Sequence, residues 1–271
     1  MTKIELTTST AMQAGSVDMK TTATTTLAER LSTAADKGLY NPSREHDACG
    51  VGFVAHMKGE KSHKIIADGL QVLENLTHRG AVGADPLMGD GAGMLVQIPH
   101  AFFAEELANA GTTLPDAGEY GVGFIFMPQD DELRAKCEAI IERVIEDEGK
   151  ELIGWRDVPV DNSSLSKAPD IAATEPVSRQ VFIRKTGGEA DAFERRLYVL
   201  RKVISNRVRA ETDAVSKGFY IVSMSSRTIV YKGMFLAYQL GAYYADLKDE
   251  RFSSALALVH QRFSTHTFPS W

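Results

Sequence analysis

The chain has 271 residues, 44% of them hydrophobic and 24% charged, a balance that excludes disordered and fibrous proteins and supplies a sizeable core. Its formal net charge is −6, so it has no general electrostatic attraction to nucleic acid or an anionic membrane. No stretch approaches the roughly 20 apolar residues of a membrane-spanning helix, and the Thr-rich N-terminus lacks the apolar core of a secretory signal, which makes a cytoplasmic protein the expectation.

Residues 1 to 48 hold ten threonines and one aromatic, Tyr40, and read as a poorly ordered leader. A transit peptide would be Arg-rich and acid-poor, whereas this stretch sets Arg30 and Arg44 against Glu5, Asp18, Glu29, Asp36, Glu45 and Asp47. From Cys49 the run Cys-Gly-Val-Gly-Phe-Val-Ala55 suits a buried strand. Ile66, Leu70, Leu73 and Leu76 then recur at helical spacing, with Gly80 as the expected C-terminal cap. Met94 to Pro99 reads as a strand, His100 to Asn109 as a helix and Gly121 to Met127 as a strand. Gln129 to Glu148 is the clearest helix, its apolar face carrying Leu133, Cys137, Ile140, Ile141, Val144 and Ile145. Asp157 to Arg179 lacks either period and reads as an irregular loop. Val181 to Arg184 follows as a strand, and Asp191 to Arg209 as a helix with Phe193, Leu197, Leu200 and Ile204 inward and a basic outer face, for which a solvated surface is the default reading. Phe219 to Met224 and Thr228 to Tyr231 are expected to pair as a hairpin across Ser225-Ser226, and Ala255 to Val259 is one more strand. Strands in pairs with helices between them favour an α+β fold over a doubly wound sheet.

Two cysteines, Cys49 and Cys137, cannot make a disulfide framework or a four-cysteine zinc site, so thiol chemistry rests on one residue. Cys137 belongs to a helix core. Cys49 follows the small residue Ala48 where the leader meets the first strand. Removal of the leader would free an α-amino group on the cysteine itself, and such a group, with a pKa of about 7.7 to 8.0, accepts a thiol proton near neutral pH. Nucleophile and base would then share one residue. An ordinary buried strand cysteine is the competing reading.

Three further patterns carry little. Gly50-x-Gly52-x-x-Ala55 loosely fits a dinucleotide fingerprint and Gly89-x-Gly91-x-Gly93 a phosphate loop, but neither is expected to present a helix N-terminus to a phosphate. Asp90 reads as a turn residue. His46, His56, His63 and His78 match no compact metal-ligand spacing.

The runs Glu45-His-Asp-Ala-Cys-Gly-Val-Gly-Phe-Val-Ala55, Leu76-Thr-His-Arg-Gly-Ala-Val-Gly-Ala-Asp85, Gly89-Asp-Gly-Ala-Gly-Met-Leu-Val-Gln-Ile-Pro99 and Arg262-Phe-Ser-Thr-His-Thr-Phe-Pro-Ser-Trp271 resemble the N-terminal class II glutamine amidotransferase domain of the glutamate synthase large subunit. The resemblance implies an Ntn-hydrolase four-layer αββα sandwich over residues 49 to 271, incomplete at its C-terminal end. It implies that the 1 to 48 leader is cleaved, that Cys49 becomes the nucleophile attacking the glutamine side-chain amide, that Arg262 clamps the substrate α-carboxylate with Thr265 beside it, and that Arg79 supports the Cys49 terminus. His266 stands where that family more often has Asn. It further implies L-glutamine as substrate, a synthase region in the same parent chain to receive the ammonia, a small electron-donating subunit, and FMN and an iron-sulfur cluster outside these residues, with no metal or cofactor within them. The family's oxyanion Asn-Gly pair and the acidic residue for the glutamine α-amino group are expected beyond Trp271. Each absent oxyanion donor costs about 2.7 to 4 kcal/mol, so these residues alone are expected to be impaired or inactive. An unprocessed interaction or regulatory domain on the same scaffold, or another class II amidotransferase, are the alternatives.

Overall fold

The computed structural model describes residues 50–80, 82–83, 85–261 and 271. In chain order the elements are β1 (Gly50–Ala55), α1 (His63–Asn75), β2 (Ala92–Gln97), α2 (His100–Asn109), β3 (Tyr120–Met127), α3 (Asp131–Asp147), β4 (Glu151–Asp157), the short α4 (Pro169–Ala172), β5 (Val177–Arg184), α5 (Ala190–Glu211), β6 (Tyr220–Ser225), β7 (Thr228–Gly233), α6 (Ala237–Tyr243) and β8 (Leu256–Gln261). The strands form two antiparallel sheets. Sheet 1 has the order β1-β8-β2-β7 and sheet 2 the order β4-β5-β3-β6. The mixed α+β expectation holds, and two antiparallel sheets with packed helices are consistent with an Ntn-hydrolase sandwich.

Alternation along the strands sets the layers. On β3, Val122, Phe124 and Phe126 enter a core shared with sheet 1, while Ile125 and Met127 meet α3 and α5 on the other side. Helix α3 starts where the Asp130 carboxylate accepts the Leu133 N–H at 2.7 Å, with Asp131 and Glu132 in its first turn complementing the helix dipole. Helix α5 buries Phe193, Leu197, Leu200, Ile204 and Val208 along one stripe.

In sheet 1 one face carries Met94, Ala257, Val259 and Tyr231, and α1 packs closely on it. A Cβ at Gly69 would lie 2.8 Å from the Ala257 Cβ, and one at Gly52 would lie 2.5 Å from Val72, so both glycines exist to let helix and sheet touch. Tyr231 on the same face stacks edge-on against Phe124 of sheet 2, with ring centroids 5.0 Å apart. The opposite face carries Val51, Phe53 and Leu258 at 62%, 75% and 40% exposure. Among the described residues, no layer covers it.

A buried polar clamp joins the two sheets. Arg156 of β4 donates both terminal nitrogens to Asp246 at 2.8 Å, Tyr231 of β7 donates its hydroxyl to the same carboxylate at 2.6 Å, and Gln180 of β5 donates to Tyr231 at 2.9 Å. Burial opposes the charge on Arg156, and the Asp246 carboxylate more than restores it, leaving the guanidinium pKa raised.

Four expectations are corrected. The α1 helix ends at Leu76 and a 3-10 turn occupies Thr77–Arg79, so Gly80, at φ −81°, is not a left-handed cap. A Cβ there would lie 2.2 Å from the Gln261 side-chain nitrogen, so any larger residue would have to displace that amide. Strand β4 was absent from the sequence reading, and the span read as loop also holds α4 and the start of β5 at Val177. Helix α6 was absent too. The Ser225-Ser226 turn does connect β6 and β7, but they do not pair with each other: β6 pairs with β3 and β7 with β2. Glu194 of α5 accepts hydrogen bonds from Ser225 and Ser226 and pins that turn between the sheets.

Candidate active site

The segments singled out by motif converge at one end of sheet 1. Gly50, the residue after Cys49, is the ladder partner of Gln261, the residue before Arg262. The turn that follows α1 closes over this pair. A Cβ on Gly50 would lie 3.0 Å from the Arg79 Cβ and 3.3 Å from that of Leu76, so Arg79 sits beside the first residue of β1. Gln261 is buried at 1% exposure, and among the described residues its side-chain oxygen has no hydrogen-bond partner. An unpaired acceptor inside a protein costs about 1 to 3 kcal/mol and marks a place where a water or ligand group is wanted. Cys49, Arg262, Thr265 and His266 themselves lie outside the described residues, as does His46.

The Gly89-Asp-Gly-Ala-Gly93 loop enters the site from the side and leads into β2. Gly89 is needed because a Cβ would fall 2.2 Å from the Phe235 carbonyl oxygen, and Gly91 because its φ is +135°. These are packing and backbone demands, and the loop runs into a strand with no helix N-terminus for a phosphate. The segment before it is tied down by Asp85. Its carboxylate accepts the Ser166 hydroxyl and the Leu87 N–H, which together hold its pKa below the usual carboxylate range.

Across the open face of sheet 1 runs a row the sequence reading did not find. Val51 pairs with His260, His260 with Gly93, and Gly93 with Lys232. Because Gly93 has no side chain, the row leaves a hollow of about 290 Å³ lined by Gly91, Gly93, Leu95, Val230, Lys232 and His260. Burial lowers the pKa of His260, and burial with a smaller contribution from Arg201 lowers that of Lys232 to about 8. The Lys232 ammonium lies 4.5 Å from the centre of the Tyr220 ring. Period-2 alternation around His260 was the one signal available in the sequence; its neighbours come from strands distant in the chain. A larger cleft of about 1290 Å³ lies elsewhere, lined by Asp85, Gln129, Lys217, Tyr220 and Trp271 among others, and neither Gly50 nor Gln261 lines it.

Other candidates fall away on geometry. Cys137 is fully buried and burial pushes its thiol up to about 11, the opposite of an activated nucleophile. His56 and His78 are exposed and His63 bonds the Leu247 carbonyl oxygen; among the described residues no group of three or more His, Cys, Asp or Glu is placed to hold a metal ion. No described helix is long and apolar enough to cross a membrane. In the basic stripe of α5, Arg201 is turned inward to the Ile221 carbonyl oxygen at 2.7 Å.

Compared with known proteins, residues 49–271 match the model of the class II glutamine amidotransferases. The chain belongs to that family. The NADPH glutamate synthase large chain of Bacillus subtilis (strain 168) is 48% identical over 239 residues, covering 87% of this chain and 15% of its own length. The NADH glutamate synthase of Schizosaccharomyces pombe is 42% identical over 240 residues, 87% of this chain and 11% of its own length. Ferredoxin-dependent glutamate synthase 2, chloroplastic, of Arabidopsis thaliana is 40% identical over 228 residues, 84% of this chain and 14% of its own length. The amidotransferase thus spans 15% or less of these relatives. Its match begins at Cys49, one residue before β1.

Proposed function

We propose that this amidotransferase is the glutaminase portion of a glutamate synthase, with Cys49 as its N-terminal nucleophile. The observation that carries the reading is the pairing of Gly50 with Gln261 beside Arg79, because it brings the chain neighbours of the candidate nucleophile and the candidate carboxylate clamp to adjacent strands. In this reading the 1 to 48 leader is removed behind Ala48. The freed α-amino group takes the Cys49 thiol proton as sulfur attacks the glutamine side-chain carbonyl carbon. The tetrahedral intermediate collapses, the C–N bond breaks, and the proton leaves on ammonia. Water then attacks the thioester, the same amine takes its proton and returns it to sulfur, and glutamate is released. Arg262 holds the substrate α-carboxylate through its planar fork of donors, a task a lysine performs less well, and Thr265 adds a hydroxyl contact. Arg79 steadies the Cys49 terminus.

In the same reading the ammonia passes to a synthase region of the parent chain that makes glutamate from 2-oxoglutarate. FMN and an iron-sulfur cluster belong to that remainder, since the two cysteines of this sequence are too few to ligate such a cluster. A small electron-donating subunit is the expected partner of the parent, and the cytoplasm its expected compartment. What supports the assignment is the class II family membership together with the glutamate synthase relatives. The test is Cys49→Ala in the full-length parent: glutamine-dependent glutamate formation falls to background while ammonia-dependent formation persists, and N-terminal sequencing of the wild type begins at Cys49. Equal loss of both activities, or retention of Met1 in an active enzyme, would overturn it.

A further inference from the structure

We propose that the outer face of the α3 and α5 layer docks a second copy of this amidotransferase, with α3 of each copy laid over α5 of the other about a twofold axis. The exposed outward ridge of α3 is Glu132, Ala135, Ala139, Glu142 and Glu146, and that of α5 is Arg195, Tyr198, Val199, Lys202 and Arg209. One ridge is acidic around two small residues. The other is basic around two exposed apolar side chains, Tyr198 at 59% and Val199 at 41%. The flanks keep the contrast: on α3 the exposed acids, Asp131 and Asp147 included, outnumber Lys136 and Arg143, and on α5 the exposed bases, Arg196 and Arg207 included, outnumber Asp191 and Glu211. These charges are little used within one copy. Glu142 accepts the Trp155 indole N–H at 2.8 Å and the Lys202 ammonium lies 5.8 Å from the centre of the Tyr198 ring. Among the described residues, no ion pair takes up Glu132, Glu146, Arg195, Lys202 or Arg209.

The two helices lie side by side and antiparallel. Arg143 of α3 reaches Glu211 at 2.6 Å, and Glu148 lines a small groove with Leu197 and Leu200, so the last turns of α3 stand level with the second half of α5. A twofold axis that lies in the face and runs parallel to the helices keeps that level while exchanging the helices across the interface. Glu142 and Glu146 of one copy then meet Lys202 and Arg209 of the other, and symmetry makes each contact twice. An in-plane axis perpendicular to the helices would instead stack α3 on α3, acid on acid, which like-charge repulsion disfavours. The occupant follows from the same pattern. An acidic partner would match α5 and oppose α3, and a basic one the reverse, whereas a second copy satisfies both ridges at once. The 17 residues of α3, at about 1.5 Å each, span about 25 Å, and two helices about 10 Å apart give each copy a face of about 500 Å². The total of about 1,000 Å² stands at the lower bound for a specific interface, so a micromolar, salt-sensitive dimer is expected.

The experiment is sedimentation velocity on the full-length parent at about 50 mM and about 500 mM NaCl. Wild type is compared with Lys202→Glu plus Arg209→Glu and with Glu142→Lys plus Glu146→Lys, and the thermal midpoint of each chain checks its folding. We expect the wild-type association to weaken by about tenfold or more at the higher salt. Either double reversal weakens it by about 100-fold at the lower salt, and an equimolar mixture of the two reversed chains restores it, because each ridge again faces its opposite. If a double variant does not fold, Lys202→Glu and Glu146→Lys alone make the same comparison. A wild type that stays monomeric at high micromolar concentration overturns the proposal, as does an association that neither reversal alters or a mixture that fails to restore it. Reversals that lower the thermal midpoint and leave the sedimenting mass unchanged would show that another part of the parent covers this face, and would overturn it too. The reading of Cys49 stands or falls separately, since none of these outcomes depends on it.

Discussion

Sheet 2 is the more enclosed, for all that its edge strand β4 is partly exposed, sheet 1 is half open, and the Gly50–Gln261 pair that carries the proposed function lies in the open one. All eight residues of β3, one of the two inner strands of sheet 2, are buried, with aromatic rings on one side and aliphatic chains against α3 and α5 on the other. Sheet 1 reads differently: β1, β2, β7 and β8 alternate buried with less buried positions, and its second face holds Val51, Phe53, His260, Lys232 and the Gly93 hollow. Fold stability calls for filled space, whereas a reaction site calls for vacant space beside polar groups whose protonation burial can adjust. The glycines mark the division. In sheet 1 they admit a helix, a turn and a hollow; in β3, Gly121 and Gly123 admit Leu197, Val181 and Met224, and no space remains.

The clamp between the sheets offers the strongest way to break this arrangement. Asp246→Ala strands Arg156, whose side chain is 9% exposed, without its bidentate partner. We expect a loss of about 3 to 5 kcal/mol, read as a large fall in denaturant midpoint, with Tyr231 losing its acceptor as well; a loss below about 1 kcal/mol would mean the clamp behaves as a surface pair. A second comparison sharpens the contrast between the sheets. Ile125→Val, in the enclosed layer, is expected to cost about 0.5 to 1.5 kcal/mol, while Phe53→Ala, removing a far larger group from the open face, stays within about 0.5 kcal/mol in this 271-residue chain. The reverse order would show that the face is covered in solution.

The smallest effect concerns pH. His260 has a pKa lowered by burial, so the unfolded chain binds its proton at a higher pH than the folded one does. Stability linked to this group is fully present above the unfolded value of about 6.5 and is lost as pH falls through the folded value. Thermal unfolding between pH 7.5 and 5 should therefore show wild type losing more stability than His260→Asn. Parallel curves would mean that His260 titrates alike in both states.

Elements with a full apolar period were legible in the sequence: α3 and α5 because their stripes run four or five turns, and β3 because its run is uninterrupted. Strand β4 was not, since Gly154, Arg156 and Asp157 break the alternation and only pairing with β5 makes it a strand. The β6 and β7 turn was legible as a turn but not as a passage between sheets, because local chemistry says nothing about which partner each strand takes up. At the site, the resemblance supplied Cys49, Arg79, Arg262 and Thr265. The row through His260 was out of reach, because it depends on pairing β1 with β8 across some two hundred residues. Gly80 was noticed for the wrong reason: the space it leaves is taken by a side chain far along the sequence.

The register of β2 and β7 has a topological consequence. Gln97, the last residue of β2, pairs with Thr228, the first of β7, and everything between them, the whole of sheet 2 with α2 to α5, is one excursion that leaves sheet 1 and returns to the same rung of the ladder. The excursion has the form of an insertion, with its two ends side by side where a short hairpin turn would otherwise suffice. Its removal is nevertheless blocked by packing. Tyr231 rests on Phe124, and Asp246 on Arg156; cutting at the shared rung would spare the ladder and lay open the aromatic and ionic underside of sheet 1.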